Sequence, residues 1–138
     1  MVRIGLLGIA HLHFYSYASA VQRLPNAELV GLYDDDAARA EEAAKLFSTT
    51  FYKCPEELLK NADAVIICSE NSFHRKWVEL AAKHGKDILC EKPIATTVAD
   101  AEARIKACDG QEFPERALFQ HRFHPAHGGG KSYRKGDL

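Results

Sequence analysis

Apolar runs of strand length alternate with segments of helical period along this chain. The first run, Val2 to Leu7, ends at Gly8. From His13 to Leu24, the residues Phe14, Tyr17, Ala18, Val21 and Leu24 recur at three- and four-residue steps, which is one apolar helix face. Pro25-Asn26 stops that helix. Glu28 to Tyr33 reads as a second strand closing on Asp34-Asp35-Asp36, and Ala37 to Phe47 is built from good helix formers. Thr50 to Tyr52 is expected as a short third strand. Pro55 to Leu59 is expected as a short helix with Pro in its first turn.

The run Ala64-Val65-Ile66-Ile67-Cys68 is continuously apolar, as a strand buried on both faces requires. A helix over Phe73 to His84 places Phe73, Trp77, Leu80 and Ala81 on its core side, with Gly85 as C-cap. Asp87 to Cys90 follows as a fifth strand. Thr97 and Asp100 form a capping-box pattern for a helix ending near Cys108, and Ala117 to Phe123 is a sixth strand. Strands alternating with helices predict an α/β fold, here a doubly wound parallel six-stranded sheet. Such sheets bind ligands beyond the carboxyl ends of their strands, where the strand order reverses. Function is therefore expected in Gly8–His13, Asp34–Asp36, Ser69–His74 and Glu91–Pro93. Gly128-Gly129-Gly130 marks residues 126–138 as tail or linker beyond a single domain over residues 1–125.

At 138 residues the chain is about one domain, and 46% apolar content supplies a core. The balance of 18 Lys+Arg against 19 Asp+Glu argues against nucleic acid as a partner. No apolar run reaches the length of a membrane span. Cys54, Cys68, Cys90 and Cys108 contain no CxxC unit, and without a recognisable export signal they read as reduced thiols of a cytoplasmic protein.

The turn Gly8-Ile9-Ala10-His11-Leu12-His13 lies where a dinucleotide fingerprint would put glycines at positions 8, 10 and 13. Only the first is Gly. Ala10 adds a methyl group where a pyrophosphate would approach, and His13 is bulky where helix would meet sheet. The context still favours an anion, because the turn opens a helix N-terminus. Asp34 ends the second strand, 21 residues after position 13. A carboxylate there accepts from a ribose 2′-hydroxyl and repels a 2′-phosphate, so NAD is expected over NADP. The other reading of Asp34 is a helix cap, a role that Asp36 also suits. Lys92, at the end of the fifth strand, can orient a substrate hydroxyl or exchange a proton with it.

The combination of Ile4-Gly5-Leu6-Leu7-Gly8, Asp34, the run Asp63 to Cys68 reaching Asn71 and His74, and Gly85-Lys86-Asp87-Ile88-Leu89-Cys90-Glu91-Lys92-Pro93 resembles the glucose–fructose oxidoreductase / inositol dehydrogenase / MocA family. Gln120 to Pro125 is similar to that family's sixth-strand segment. The resemblance spans about residues 2 to 127 and implies a Rossmann domain that binds NAD or NADP. It implies an oxidoreductase acting on a sugar, cyclitol or related polyol. Lys92 would be the catalytic residue beside the nicotinamide. Gly8, Ile9, Ala10, His11, Asp34, Ser69, Asn71, His74, Glu91 and Lys92 are the implied cofactor contacts. Ser69-Glu70 stand where the family usually has Pro. The family's second, substrate-binding domain is expected to be absent, leaving an NAD(P)-binding unit. The alternative is a non-catalytic nucleotide-binding or assembly module, with a homo-oligomer as its expected state. A different nucleotide or anion binder on the same sheet is a third reading.

No metal is expected. The trio His121, His124 and His127 has a three-residue spacing that does not converge on one strand face. His11 is read as a phosphate or nicotinamide neighbour or as a helix cap. His74 is read equally as a pocket residue or a cap, and His84 as a favourable contact with a helix C-terminus.

Overall fold

The computed structural model describes residues 1–93, 95–109 and 117–119, with side chains through residue 107 except at 94. Five parallel strands form one sheet, β1 (Val2–Leu7), β2 (Ala27–Tyr33), β3 (Ala64–Ile67), β4 (Asp87–Cys90) and β5 (Ala117–Phe119), in the order β2-β1-β3-β4-β5. The helices are α1 (His13–Arg23), α2 (Ala37–Leu46), α3 (Pro55–Asn61), α4 (His74–Lys83) and α5 (Val98–Asp109). A short 3-10 turn, Asn71–Phe73, leads into α4.

The pleat divides the core in two. Leu6, Ile66 and Leu32 join Phe14, Ala18 and Val21 of α1 and Ala40, Ala43 and Ala44 of α2 on one face. Leu7, Val65, Ile67, Ile88 and Cys90 join Leu58 and Leu59 of α3 and Trp77, Val78 and Ala81 of α4 on the other. Alternate residues of one strand feed opposite layers, which is why β3 has no polar position. Each large side chain so buried contributes about 1.5–3 kcal/mol relative to exposure. The sheet is therefore doubly wound, and its order reverses at β1, with β2 on one side and β3 on the other.

The expected helix boundaries hold closely. Leu24, preceding Pro25, is extended (ψ 125°), so α1 ends at Arg23. Asp36 caps α2 by accepting the Arg39 N–H at 3.1 Å. The Thr97 hydroxyl accepts the Asp100 N–H at 3.1 Å and donates to the Asp100 carboxylate at 2.8 Å, which makes the N-cap half of the expected capping box at the start of α5. The His84 ring bonds the Leu80 carbonyl at 2.9 Å in the last turn of α4.

Four expectations need correction. The described residues hold five strands rather than six. Thr50–Tyr52 makes only a single parallel bridge, Phe51 with Leu32. It crosses Gly31 so closely that a side chain there would lie 2.6 Å from the Thr50 carbonyl, and Pro55 starts α3 before a ladder can extend. Phe73 is 42% exposed, because the 3-10 turn rotates it off the face that buries Trp77. Leu24 is exposed, since the chain leaves the helix there. The sixth expected strand begins as expected at Ala117 but is the fifth of the sheet, and residues 120–123 lie outside the described residues. So do the tail over 126–138 and the histidine trio.

Among the described residues no helix is long and apolar enough to cross a membrane. Cys54, Cys68 and Cys90 are free thiols, the latter two buried, and burial pushes the Cys68 thiol pKa far up. The Cys108 side chain lies outside the described residues.

Candidate functional site

Gly8 ends β1 at φ 76°, a left-handed conformation that favours glycine. Space demands glycine as well: a Cβ at Gly8 would lie 2.5 Å from Cβ of Ser69, at the end of β3. The turn is then sewn to both neighbouring strands. The Gly8 N–H donates to the Tyr33 carbonyl at 2.8 Å, the Cys68 N–H to the Gly8 carbonyl at 3.0 Å, and the His11 N–H to the Cys68 carbonyl at 2.8 Å. The Ala10 and Leu12 N–H groups have no acceptor among the described residues. They are two backbone donors at the start of α1, where the Leu12 side chain makes no cap and the His11 Nδ1 accepts the His13 N–H at 3.3 Å, the helix-cap role read for His11. A helix start with free donors suits an anion.

Asp34 is 4% exposed and closes β2 beside this turn. Its Oδ2 accepts the Ile9 N–H at 2.7 Å. Its Oδ1 accepts the Asp36 N–H at 2.8 Å and an Arg39 Nη2–H at 2.6 Å. Arg39 also reaches Glu70 at 3.3 Å, tying α2 to the end of β3. Burial works against the Arg39 charge, but the carboxylates around it, Asp34 first and then Glu70 and Asp36, together more than offset it and raise the guanidinium pKa. Asp34 thus shapes the turn as well as facing the switch point.

Glu91, at the end of β4, is 1% exposed. Its Oε1 meets the His13 Nδ1 at 3.0 Å and the Tyr17 hydroxyl at 2.9 Å, and its Oε2 accepts the Lys92 N–H at 3.1 Å. His13 and Tyr17 lie one turn apart on α1, so one helix face grips the carboxylate. Burial, and then the bond to Glu91, pushes the Tyr17 phenol well above its ordinary value. His13 therefore does not obstruct the helix–sheet contact, as its bulk suggested. It leaves the interface sideways, remains part-exposed, and pairs with Glu91. The His11 and His13 rings meet edge to face with centroids 4.4 Å apart.

His74 is buried at the start of α4. Its Nδ1 lies 3.1 Å from the Pro93 carbonyl and its Nε2 3.1 Å from the Ser69 carbonyl, so it bridges the ends of β3 and β4. Burial lowers its pKa, and the charge of Arg104 acts in the same direction. It sits at the helix start, but its ring serves the two loops rather than capping backbone N–H groups. Ser69 is buried and bonds the Glu70 carbonyl at 3.2 Å, while Asn71 is exposed. Lys92 is half-buried in a cis Lys92–Pro93 turn, and its ammonium has no partner among the described residues.

The family profile described as "Oxidoreductase family, NAD-binding Rossmann fold", that of Gfo/Idh/MocA, matches residues 2–113. The chain belongs to the Gfo/Idh/MocA family. It is 35% identical over 124 residues to D-xylose 1-dehydrogenase (NADP(+)) 2 of Haloferax volcanii, covering 88% of this chain and 38% of that protein. It is 32% identical over 133 residues to scyllo-inositol 2-dehydrogenase (NAD(+)) of Bacillus subtilis, covering 94% and 39%. Among solved structures it superposes on UDP-N-acetylglucosamine 3-dehydrogenase from Acidithiobacillus ferrooxidans with TM-score 0.76 and 30% identity, covering 91% of this chain and 41% of that one. The chain thus spans about two-fifths of the length of these relatives.

In this Gfo/Idh/MocA chain the candidate residues gather at one end of the sheet. Gly8 to His11, Asp34, Ser69, His74, Glu91 and Lys92 all leave the carboxyl ends of β1 to β4. Three further side chains make contacts at this end of the sheet that the sequence does not assign. Arg39 was hidden among surface charges of α2, although a cation five residues after Asp34 was the available signal. His13 lies in the expected segment Gly8–His13, but nothing in the sequence assigns it a partner, and it is marked there only as a bulky replacement for a glycine. Tyr17 counted only as part of an apolar face, and nothing local ties either residue to Glu91.

Proposed function

We propose that this chain is the NAD(P)-binding domain of an oxidoreductase that moves hydride to or from a CH–OH carbon of a sugar, cyclitol or related polyol. The observation that carries this reading is the bond from the Ile9 N–H to the Asp34 carboxylate at the switch point. It joins the anion-ready turn to the acidic end of β2, the pairing a dinucleotide's pyrophosphate and adenosine ribose require. The Ala10 and Leu12 N–H groups, without an acceptor among the described residues, fit the pyrophosphate, and Gly8 with Ser69 keeps the turn close to the sheet. Asp34 favours NAD, while Arg39 beside it offsets part of its repulsion of a 2′-phosphate. The relatives named above include one NAD and one NADP enzyme, both acting on polyhydroxylated substrates by name.

When bound, the nicotinamide supplies C4 as the hydride acceptor or donor. The chain's own residues set the stage. Glu91 fixes the backbone of Lys92, and His74 holds Pro93 against the end of β3. The Lys92 side chain, with no partner among the described residues, is then available to orient a substrate hydroxyl or exchange a proton with it. Ser69, Asn71 and His11 complete the rim.

Fluorescence titration with NADH and NADPH tests this reading. Saturable enhancement is expected for the parent and a clear weakening for Asp34→Ala. Absence of a saturable signal at millimolar cofactor sinks it. A second reading, a non-catalytic module on the same scaffold, draws on the saturation of Asp34, whose oxygens already accept three donors. Under that reading Asp34→Ala lowers stability but no dinucleotide binds.

A further inference from the structure

We propose that His11, His13 and Glu91 form a binding site for one divalent transition-metal ion of the zinc type. One ligand atom from each residue lies within 4.8 Å of the other two. Two imidazoles and a carboxylate are a donor set that suits Zn²⁺, Co²⁺ or Fe²⁺ rather than Mg²⁺ or Ca²⁺. Ligand atoms on a tetrahedral ion with bonds of about 2.1 Å stand roughly 3.4 Å apart. The His13–Glu91 edge is already 3.0 Å, so the remaining adjustment falls on the His11 and His13 side chains, which are half-buried and able to turn.

The anchor is rigid where it has to be. Glu91 is buried, and the Tyr17 hydroxyl and the Lys92 N–H hold its two oxygens from behind. Such outer partners orient metal-binding carboxylates. The His13 N–H donates to the His11 Nδ1 at 3.3 Å, which brings the two rings together. The ion takes a lone pair from one nitrogen of each ring: at His13 it replaces the proton shared with Glu91, which leaves to solvent, and at His11 it takes the Nδ1 lone pair in place of the His13 N–H, which turns to solvent. Three protein ligands leave a fourth position open, the arrangement of reactive rather than purely structural zinc sites. This inference does not rest on the dinucleotide reading.

The test is a Co²⁺ titration of the chelator-treated and then desalted protein, without dinucleotide, followed by visible absorption. One saturable equivalent is expected. His11→Ala, whose ring has no role in the core, should weaken binding by at least about tenfold, and so should His13→Ala. Circular dichroism checks that each variant is folded. The triple variant His121→Ala, His124→Ala and His127→Ala should bind as the parent does. The proposal is overturned if no band saturates at millimolar Co²⁺, if His11→Ala binds like the parent, or if the triple variant loses the band. NADH titration in chelator reports separately on the dinucleotide reading.

Discussion

The His13 Nδ1 lies 3.0 Å from the Glu91 Oε1, although 78 residues separate the two. The histidine opens α1 and the glutamate closes β4, and the contact spans the carboxyl ends of β1 and β3 between them. With Tyr17 it converts a missing fingerprint glycine into a tether. Side chains here add to the backbone bonds that hold the first turn, where glycines would otherwise allow close packing.

That tether has a measurable worth. Tyr17→Phe deletes one hydrogen bond to a buried carboxylate and should cost about 1.5–2 kcal/mol. Urea unfolding followed by circular dichroism measures it. Parent-like stability would mean that Glu91 does not depend on this donor. NADH affinity should stay near the parent value, since the phenol lies behind the carboxylate.

Gly8→Ala should destabilise by about 3 kcal/mol, combining left-handed backbone strain with overpacking against Ser69. The double variant Gly8→Ala, Ser69→Gly removes the 2.5 Å collision but not the strain at φ 76°. It should therefore recover part of the loss and not all of it. Additive losses in a double-mutant cycle would contradict the proposed close approach.

Arg39→Ala uncovers the Asp34 Oδ1. Repulsion of a 2′-phosphate then rises, and the preference for NADH over NADPH should increase by about tenfold, or 1.4 kcal/mol. Parallel fluorescence titrations report it. An unchanged ratio would remove Arg39 from cofactor selection.

Folding stability should fall as the solution is acidified below the ordinary histidine pKa. His74 has a folded pKa below its unfolded one, because burial disfavours its charge. Between those two values the unfolded chain binds more protons, so stability is full above about 6.5 and is lost as pH drops towards the folded value. Thermal unfolding at pH 7.5 and pH 5 in parent and His74→Gln checks this. The variant should be less stable at pH 7.5 and show a flatter pH dependence. Equal slopes would assign the loss to other groups.

The order of elements was legible along the chain, because strand and helix periods are local. β1, β4 and α1 to α4 lie where alternation, caps and prolines put them, and Thr97 caps α5 through the Asp100 N–H as its spacing implies. The Glu-Lys-Pro turn and Asp34 also marked the family, and they lie at the end of the sheet that holds the candidate site. Tertiary structure alone decided that Thr50–Tyr52 stops at one bridge, that Phe73 turns outward, and that Arg39 occupies an oxygen of Asp34. It alone brought His11, His13, Tyr17 and Glu91 together. Periodicity records which face of an element is buried. It carries no record of which distant side chain waits on the other side of a strand crossing, and the parallel sheet fixes those meetings only when β1, β3 and β4 pair.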